Sequence, residues 1–466
     1  MKNIRLLLLL VALWASSVAA SGLQPQPKPK QPKSLDYKYR ITFTDKAATP
    51  YALQHPEQYL SKRALQRRSR QGIVVDSTDL PVCESYVRRI VELGVKPVAR
   101  GKWENFLTVA CADTAWMAAA RALPFVKRIE FVWGKPLFPE EESARQREEL
   151  TNLLTDYPDS LYGAATRQIQ LLQGHRLHEA GYRGEGMMVA VIDAGFHNAD
   201  RMEALRNAHI LGCKDFVNPA GDAYGEGSHG LSVLSCMAMN RPHQMVGTAP
   251  GASFWLLRSE DESSEQLVEQ DYWAAAVEFA DSVGVDVVNT SLGYYNFDNS
   301  DWDYAYRHLD GRHALMSRQA SRMAGKGMVL VCSAGNSGAG SWKKITPPAD
   351  AFDVLTVGAI DKEGVLASFS SVGNTADGRI KPDVMALGQL TAVMMPDGSQ
   401  GRANGTSFSS PIICGMVTCL WQALPQLTAR QLIELVRQSG NRVEYPDNIY
   451  GYGIPDFWKA YQSQKQ

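Results

Sequence analysis

From about residue 167 onward, short apolar runs alternate with helix-spaced segments, and this rhythm limits the possible folds more than any other feature. The runs at 187–192, 251–257, 285–289 and 328–332 are short and mostly apolar. Between and around them, 267–280 and 318–325 have helical spacing. Continuous apolar runs suit strands covered on both faces, so the alternation implies an α/β fold: a mostly parallel sheet with helices on both sides. Such folds collect ligands at the carboxyl ends of strands. Asp193, Asn289 and Asn336 all follow apolar runs.

The chain ahead of this region has a different texture. Tyr37, Tyr39, Ile41 and Phe43 alternate with more polar positions, and alternating segments at 104–109 and 126–131 flank a helix-like stretch at 114–122. This makes 37–133 a small α+β unit. The segment 60–70 is strongly basic and helical in composition, which reads as a solvated helix face, with a processing or docking surface as the alternative. Glu140, Glu141, Glu142, Glu148 and Glu149 make 139–149 look like an exposed boundary between domains.

At the head of the chain, Lys2 and Arg5 precede an apolar stretch at 6–13, with Ala19-Ala20 after it. That is the pattern of a cleaved export signal, too short to span a membrane. No other run approaches the roughly 20 apolar residues of a membrane span. The expected organisation is a signal peptide at 1–20, an extended Pro-, Lys- and Gln-rich segment at 21–36, the α+β unit at 37–133, a linker with a processing region at 134–164 and the α/β domain at 165–466. The expected location is extracellular or periplasmic. A net charge of −1 gives no reason to expect a nucleic-acid partner. The seven cysteines lack metal-ligand spacing, and most are expected to be buried thiols.

Three motifs carry chemistry: Asp193-Ala194-Gly195, His229-Gly230 in a glycine-rich loop, and Gly405-Thr406-Ser407-Phe408-Ser409-Ser410-Pro411. The apolar residues after Pro411 suit a buried helix, which would place the Ser407 hydroxyl near free helix-terminal amides. A serine is a weak nucleophile without a base in hydrogen-bond reach, and that base needs its tautomer fixed. His229 and Asp193 answer those two needs. Each has a plainer reading alone: Ser407 as a helix cap, His229 as a loop histidine, Asp193 as a turn former. Together, the three motifs favour catalysis. Asn336, in Ser333-Ala334-Gly335-Asn336-Ser337-Gly338, can donate its amide to an oxyanion alongside the Ser407 N–H.

With these motifs the chain resembles the subtilisin-type serine endopeptidases over nearly all of 165–460. The resemblance extends to Asn289-Thr290-Ser291-Leu292-Gly293 and to the framework segments Lys381-Pro382-Asp383-Val384 and Ala367-Ser368-Phe369-Ser370. Leu231 stands where the family commonly has threonine. The resemblance implies an acyl-enzyme mechanism on protein or peptide substrates, bound beside Ser291, Leu292, Gly293, Ala334 and Gly335. It implies a default preference for an apolar or aromatic residue before the scissile bond, with Lys343 and Lys344 leaving room for an acidic one. It also makes 37–133 an inhibitory and chaperoning propeptide, similar to those of secreted Bacteroides-group subtilases. No cofactor is required for the chemistry. Structural calcium occurs in the family, and Asp298, Asp301 and Asp303 offer oxygen ligands. Two alternatives stay open: a catalytically silent binding module on the same fold, and a peptide macrocyclase or ligase.

Overall fold

The computed structural model describes residues 35–135, 150–152 and 160–465. The expected export signal, nearly all of 21–36 and most of the 134–164 linker lie outside the described residues.

Residues 37–134 form an antiparallel sheet of β1 (Tyr37–Phe43), β2 (Lys96–Gly101), β3 (Phe106–Cys111) and β4 (Val126–Gly134), in the order β2-β3-β1-β4. Helices α1 (Lys62–Arg70), α2 (Glu84–Val91) and α3 (Met117–Arg121) accompany it. One face packs Ile41, Phe43, Leu107 and Val109 against Val87, Ile90 and Trp116. The alternation expected over 104–109 does not translate into alternating burial, because every residue of β3 is buried. The reason is a second cover: Phe106 packs with Ala274 and Leu315, and Ala99 and Val132 with Val268 and Tyr272.

The short strand β5 (Leu150–Asn152) precedes helices α4 (Thr166–Gln170) and α5 (Gly174–Glu179). Then come β6 (Met188–Asp193), β7 (His209–Asp215), α6 (His229–Ala238), the two-residue pair β8 (Asn240–Arg241) and β9 (Met245–Val246), β10 (Ser253–Arg258), α7 (Val268–Val283) and β11 (Val287–Thr290). Helix α8 (Leu315–Met323), β12 (Val329–Ser333), β13 (Leu355–Ile360), β14 (Val384–Leu387), the hairpin β15 (Thr391–Met394) and β16 (Gln400–Ala403), and helices α9 (Thr406–Ala423), α10 (Ala429–Gln438) and α11 (Phe457–Ser463) complete the order. Seven strands make a wholly parallel sheet, β14-β13-β12-β11-β6-β10-β7.

Burial on both faces explains the continuous apolar runs. In β6, Val189 and Val191 join the layer containing Phe408 and Ile412 of α9, while Ala190 and Ile192 join the layer containing Trp273 and Val277 of α7. Each fully buried Val, Ile or Leu contributes about 1.5–3 kcal/mol. Helix α9 is buried from Thr406 through Trp421, apolar nearly all round as a central helix must be. Among the described residues no helix is long and apolar enough to cross a membrane. All seven cysteines are free thiols, six of them buried.

The basic segment 60–70 departs from its sequence reading. Arg67 and Arg68 of α1 are 0% and 1% exposed, not solvated. Asp281 of α7 accepts from Arg67 Nη2 at 2.6 Å and from Arg68 Nη2 at 2.8 Å, and Asp79 takes Arg68 through a second pair of bonds at 2.9 and 3.0 Å. Burial alone would push the Asp281 carboxyl up, but Lys102, Arg67 and Arg68 outweigh it and hold it at about 2. Two-pronged guanidinium–carboxylate bonds offset the desolvation that keeps most arginines at the surface. Helix α7 ends where α1 begins its approach: Gly284, at φ 93°, lies so close that a Cβ there would come within 2.7 Å of the Arg63 side chain.

Candidate active site

Three strand ends of the parallel sheet and the starts of two helices, α6 and α9, converge. Asp193 ends β6, fully buried, and its Oδ1 accepts the Ala194 N–H at 2.9 Å. His229 opens α6 with its Nδ1 2.6 Å from the same Asp193 oxygen. The His229 side chain is 23% exposed and the Asp193 side chain 0%, so the imidazole reaches solvent while the carboxylate stays dry. Glycine makes this approach possible: a Cβ on Gly230 would come within 2.8 Å of Asp193 Cβ, and one on Gly195 would overlap the Glu226 carbonyl. Arg258 steadies the loop after Asp193, donating to the Ala194 carbonyl at 2.9 Å and to Asp215 at 2.9 Å.

Ser407 is the second residue of α9, 5% exposed, in the first turn where helix amides are free. The next residue, Phe408, holds its ring 5.9 Å from the His229 ring. Ser407 is tied to the segment after β11: Ser291 Oγ donates to the Ser407 carbonyl at 2.8 Å, and Ser407 Oγ donates to the Ser291 carbonyl at 3.4 Å. Behind them, Asn289 Nδ2 donates to Ser291 Oγ at 3.1 Å, and Ser410 Oγ donates to Asn289 Oδ1 at 2.7 Å.

On the other side stands Asn336, in the turn after β12. Its Oδ1 accepts from the Thr406 N–H at 2.9 Å and from Thr406 Oγ1 at 2.8 Å. Thr406 Oγ1 in turn accepts the Gly335 N–H at 3.1 Å. With its carbonyl oxygen fixed, the Asn336 amide has its Nδ2 donor set in one orientation. Ser291, Leu292 and Gly293 thus lie on one side of Ser407, and Ala334, Gly335 and Asn336 on the other. Leu292 and Ala334 are buried, and Gly293 presents exposed backbone.

All the residues expected from sequence in the site therefore gather around the start of α9. Thr406 and Ser410 were quoted within the serine motif without a role; their place beside Ser407 in a hydroxyl-rich run was the available signal. Away from this centre, Asp298 accepts the Glu265 N–H at 3.1 Å and Asp303 the Phe297 N–H at 2.8 Å. Among the described residues no three His, Cys, Asp or Glu side chains gather as metal ligands.

A family model described as the Subtilase family (Peptidase S8) matches residues 184–453, and one described as the Peptidase S8 propeptide domain of Bacteroidota matches 38–149. Subtilisin NAT of Bacillus subtilis subsp. natto is 28% identical over 288 residues, covering 61% of this chain and 68% of the relative. Membrane-bound transcription factor site-1 protease of Homo sapiens is 27% identical over 375 residues, covering 77% of this chain and 32% of its own. Among solved structures, the MycP3 protease from the type VII (ESX-3) secretion system aligns with a TM-score of 0.53 at 22% identity, over 67% of this chain and 91% of that one. At this identity the likeness speaks to the fold.

Proposed function

Because the chain belongs to the subtilase family and is a subtilisin-like serine endopeptidase, we propose that Ser407 is its nucleophile, His229 its general base and acid, and Asp193 the carboxylate that orients the base. The 2.6 Å bond between His229 Nδ1 and Asp193 carries this reading. With Nδ1–H donating to the carboxylate, the neutral ring keeps Nε2 as its acceptor, ready for the Ser407 proton. Attack on a peptide carbonyl puts negative charge on the carbonyl oxygen, which Asn336 Nδ2 and the Ser407 N–H stabilise. His229 then protonates the leaving amine, and water releases the acyl group by the same path in reverse. The exposed backbone at Gly293 and the segment around Gly335 suit an extended substrate held by main-chain bonds.

The domain matched at 38–149 is a propeptide domain, and it acts in this reading on its own catalytic domain. This reading keeps 37–133 for the propeptide unit, 134–164 for the processing region and 165–466 for the catalytic domain, with the propeptide match running on to 149 within the processing region. Export follows from the charged and apolar head of the chain. Expressing the precursor with and without Ser407→Ala, then comparing N-termini and peptide products, tests the assignment. The parent should process itself and take a fluorophosphonate on Ser407. A processed N-terminus in both forms, with no label on Ser407, would remove Ser407 from the reaction.

A further inference from the structure

The gap between Ser291–Gly293 and Ala334–Asn336 is where a substrate side chain must go. An acyl group on Ser407 Oγ, with its oxygen toward Asn336 and its backbone along 291–293, projects the side chain of its last residue between the two segments. The floor of that gap is Thr346-Pro347. The Thr346 N–H donates to the Ala334 carbonyl at 3.3 Å, and the Tyr294 N–H donates to the Pro347 carbonyl at 3.1 Å, so the floor is bonded to both walls.

Thr346 Oγ1 fills the space between those walls. A Cβ on Gly293 would overlap it, and a Cβ on Gly335 would lie 3.1 Å from it and 3.0 Å from Ser371 Oγ. Thr346 is 4% exposed, and Oγ1 has no hydrogen-bond partner within the protein. Buried hydroxyls nearly always have one. Ser371 Oγ is already engaged, accepting the Ser337 N–H at 3.0 Å. The nearby cation does not reach in: Lys344 Nζ donates to the Gly373 carbonyl at 2.5 Å and lies over the Tyr306 ring.

Resting on the serine-peptidase reading above, we infer that Thr346 sets the specificity of this enzyme, its side chain filling the base of the pocket so that cleavage follows short residues such as alanine and serine. This replaces the aromatic preference that family resemblance alone implies, and it leaves Lys344 engaged elsewhere rather than facing an acidic side chain.

The test profiles the processed enzyme on a mixed peptide library, as parent, Thr346→Gly and Thr346→Val. The parent should cleave after Ala or Ser at least tenfold more efficiently than after Phe or Tyr, by kcat/KM. Thr346→Gly should raise the Phe-to-Ala ratio at least tenfold. Thr346→Val keeps the volume, so it should keep the size limit. A parent that prefers aromatic residues, or a Phe-to-Ala ratio unmoved in Thr346→Gly, overturns the inference. If Thr346→Gly does not fold, Thr346→Ala, which also clears part of that space, takes its place, and an unmoved Phe-to-Ala ratio in it does the same. Fluorophosphonate labelling separates the two levels: a labelled Ser407 with an unmoved profile sinks the role of Thr346 alone, and an unlabelled Ser407 sinks the underlying reading with it.

Discussion

The surroundings of Ser407 and the surface where the N-terminal unit meets α7 solve opposite problems. Around Ser407 the scaffold is neutral: hydroxyls and amides of Ser291, Asn289, Ser410, Thr406 and Asn336 hold one another, and the Asp193 carboxylate is bonded to His229. At the inter-unit surface the groups are charged and dry. Arg40 binds Asp271 and Arg63 binds Asp286, while Arg67 and Arg68 share Asp281 and Lys326 reaches Asp79. Neutral bonds between neighbouring strand ends fix geometry at little desolvation cost. Buried charges are costly unless their partner is present, so they make one unit depend on the other.

That contrast can be broken or sharpened by substitution. The largest effect belongs to Ser407→Ala, expected to lower kcat by about 10⁶-fold while the fold survives. Circular dichroism and a fluorogenic peptide assay check both halves. Next comes Asp281→Ala. All the side-chain partners of Asp281, namely Arg67, Arg68 and Lys102, come from the N-terminal unit. Removing it leaves the buried Arg67 guanidinium without a carboxylate and Arg68 with Asp79 alone, at a cost of about 3–5 kcal/mol to the precursor. Urea unfolding of Ser407→Ala precursors with and without the change measures it. Equal stability would mean that the charges at this surface are not interdependent.

Asn336→Ala should cost about 3 kcal/mol in kcat/KM and leave precursor stability nearly unchanged. An unaltered kcat in the purified variant takes Asn336 out of the oxyanion site. The smallest effect concerns pH. Burial pushes the Glu278 carboxyl up to about 7, although Lys102 and the Lys102 and Trp103 amides favour its charged form. Because its pKa in the docked state exceeds the ordinary value of 4.5, docking of the N-terminal unit is strongest below about pH 4.5 and weakens as pH rises through 7. One such group gives at most about 1.4 kcal/mol per pH unit. Asp281 runs the other way, its contribution fading only as pH falls from about 4 toward 2. Inhibition constants of the isolated N-terminal unit between pH 5 and 8 should rise with pH, and Glu278→Gln should flatten that slope.

The same contrast separates what the sequence revealed from what it hid. Asp193, His229 and Ser407 announce themselves locally, through a strand end, a glycine-rich loop and a small-residue run before a helix. The parallel sheet was legible because burial on two faces makes its strands continuously apolar. Arg67 and Arg68 gave no such local sign, since the Asp281 they share sits more than 200 residues away in α7. A basic run therefore looked like a solvated face. The full burial of β3 was hidden for the same reason: its second cover comes from residues such as Ala274 and Leu315. Thr346 is silent in sequence because its meaning lies in two glycines, Gly293 and Gly335, that pack against it from separate segments.

Strand β5 has a kinetic consequence. Leu150–Asn152 pairs antiparallel with β16, Leu150 opposite Ala403, four residues before Ser407. The chain that leaves the N-terminal unit is thereby tethered along the segment leading into Ser407. Tethering replaces a bimolecular encounter with an effective concentration in the millimolar range. The first cut a newly folded molecule makes in itself should follow first-order kinetics, with a half-life that does not change when the protein is diluted a hundredfold.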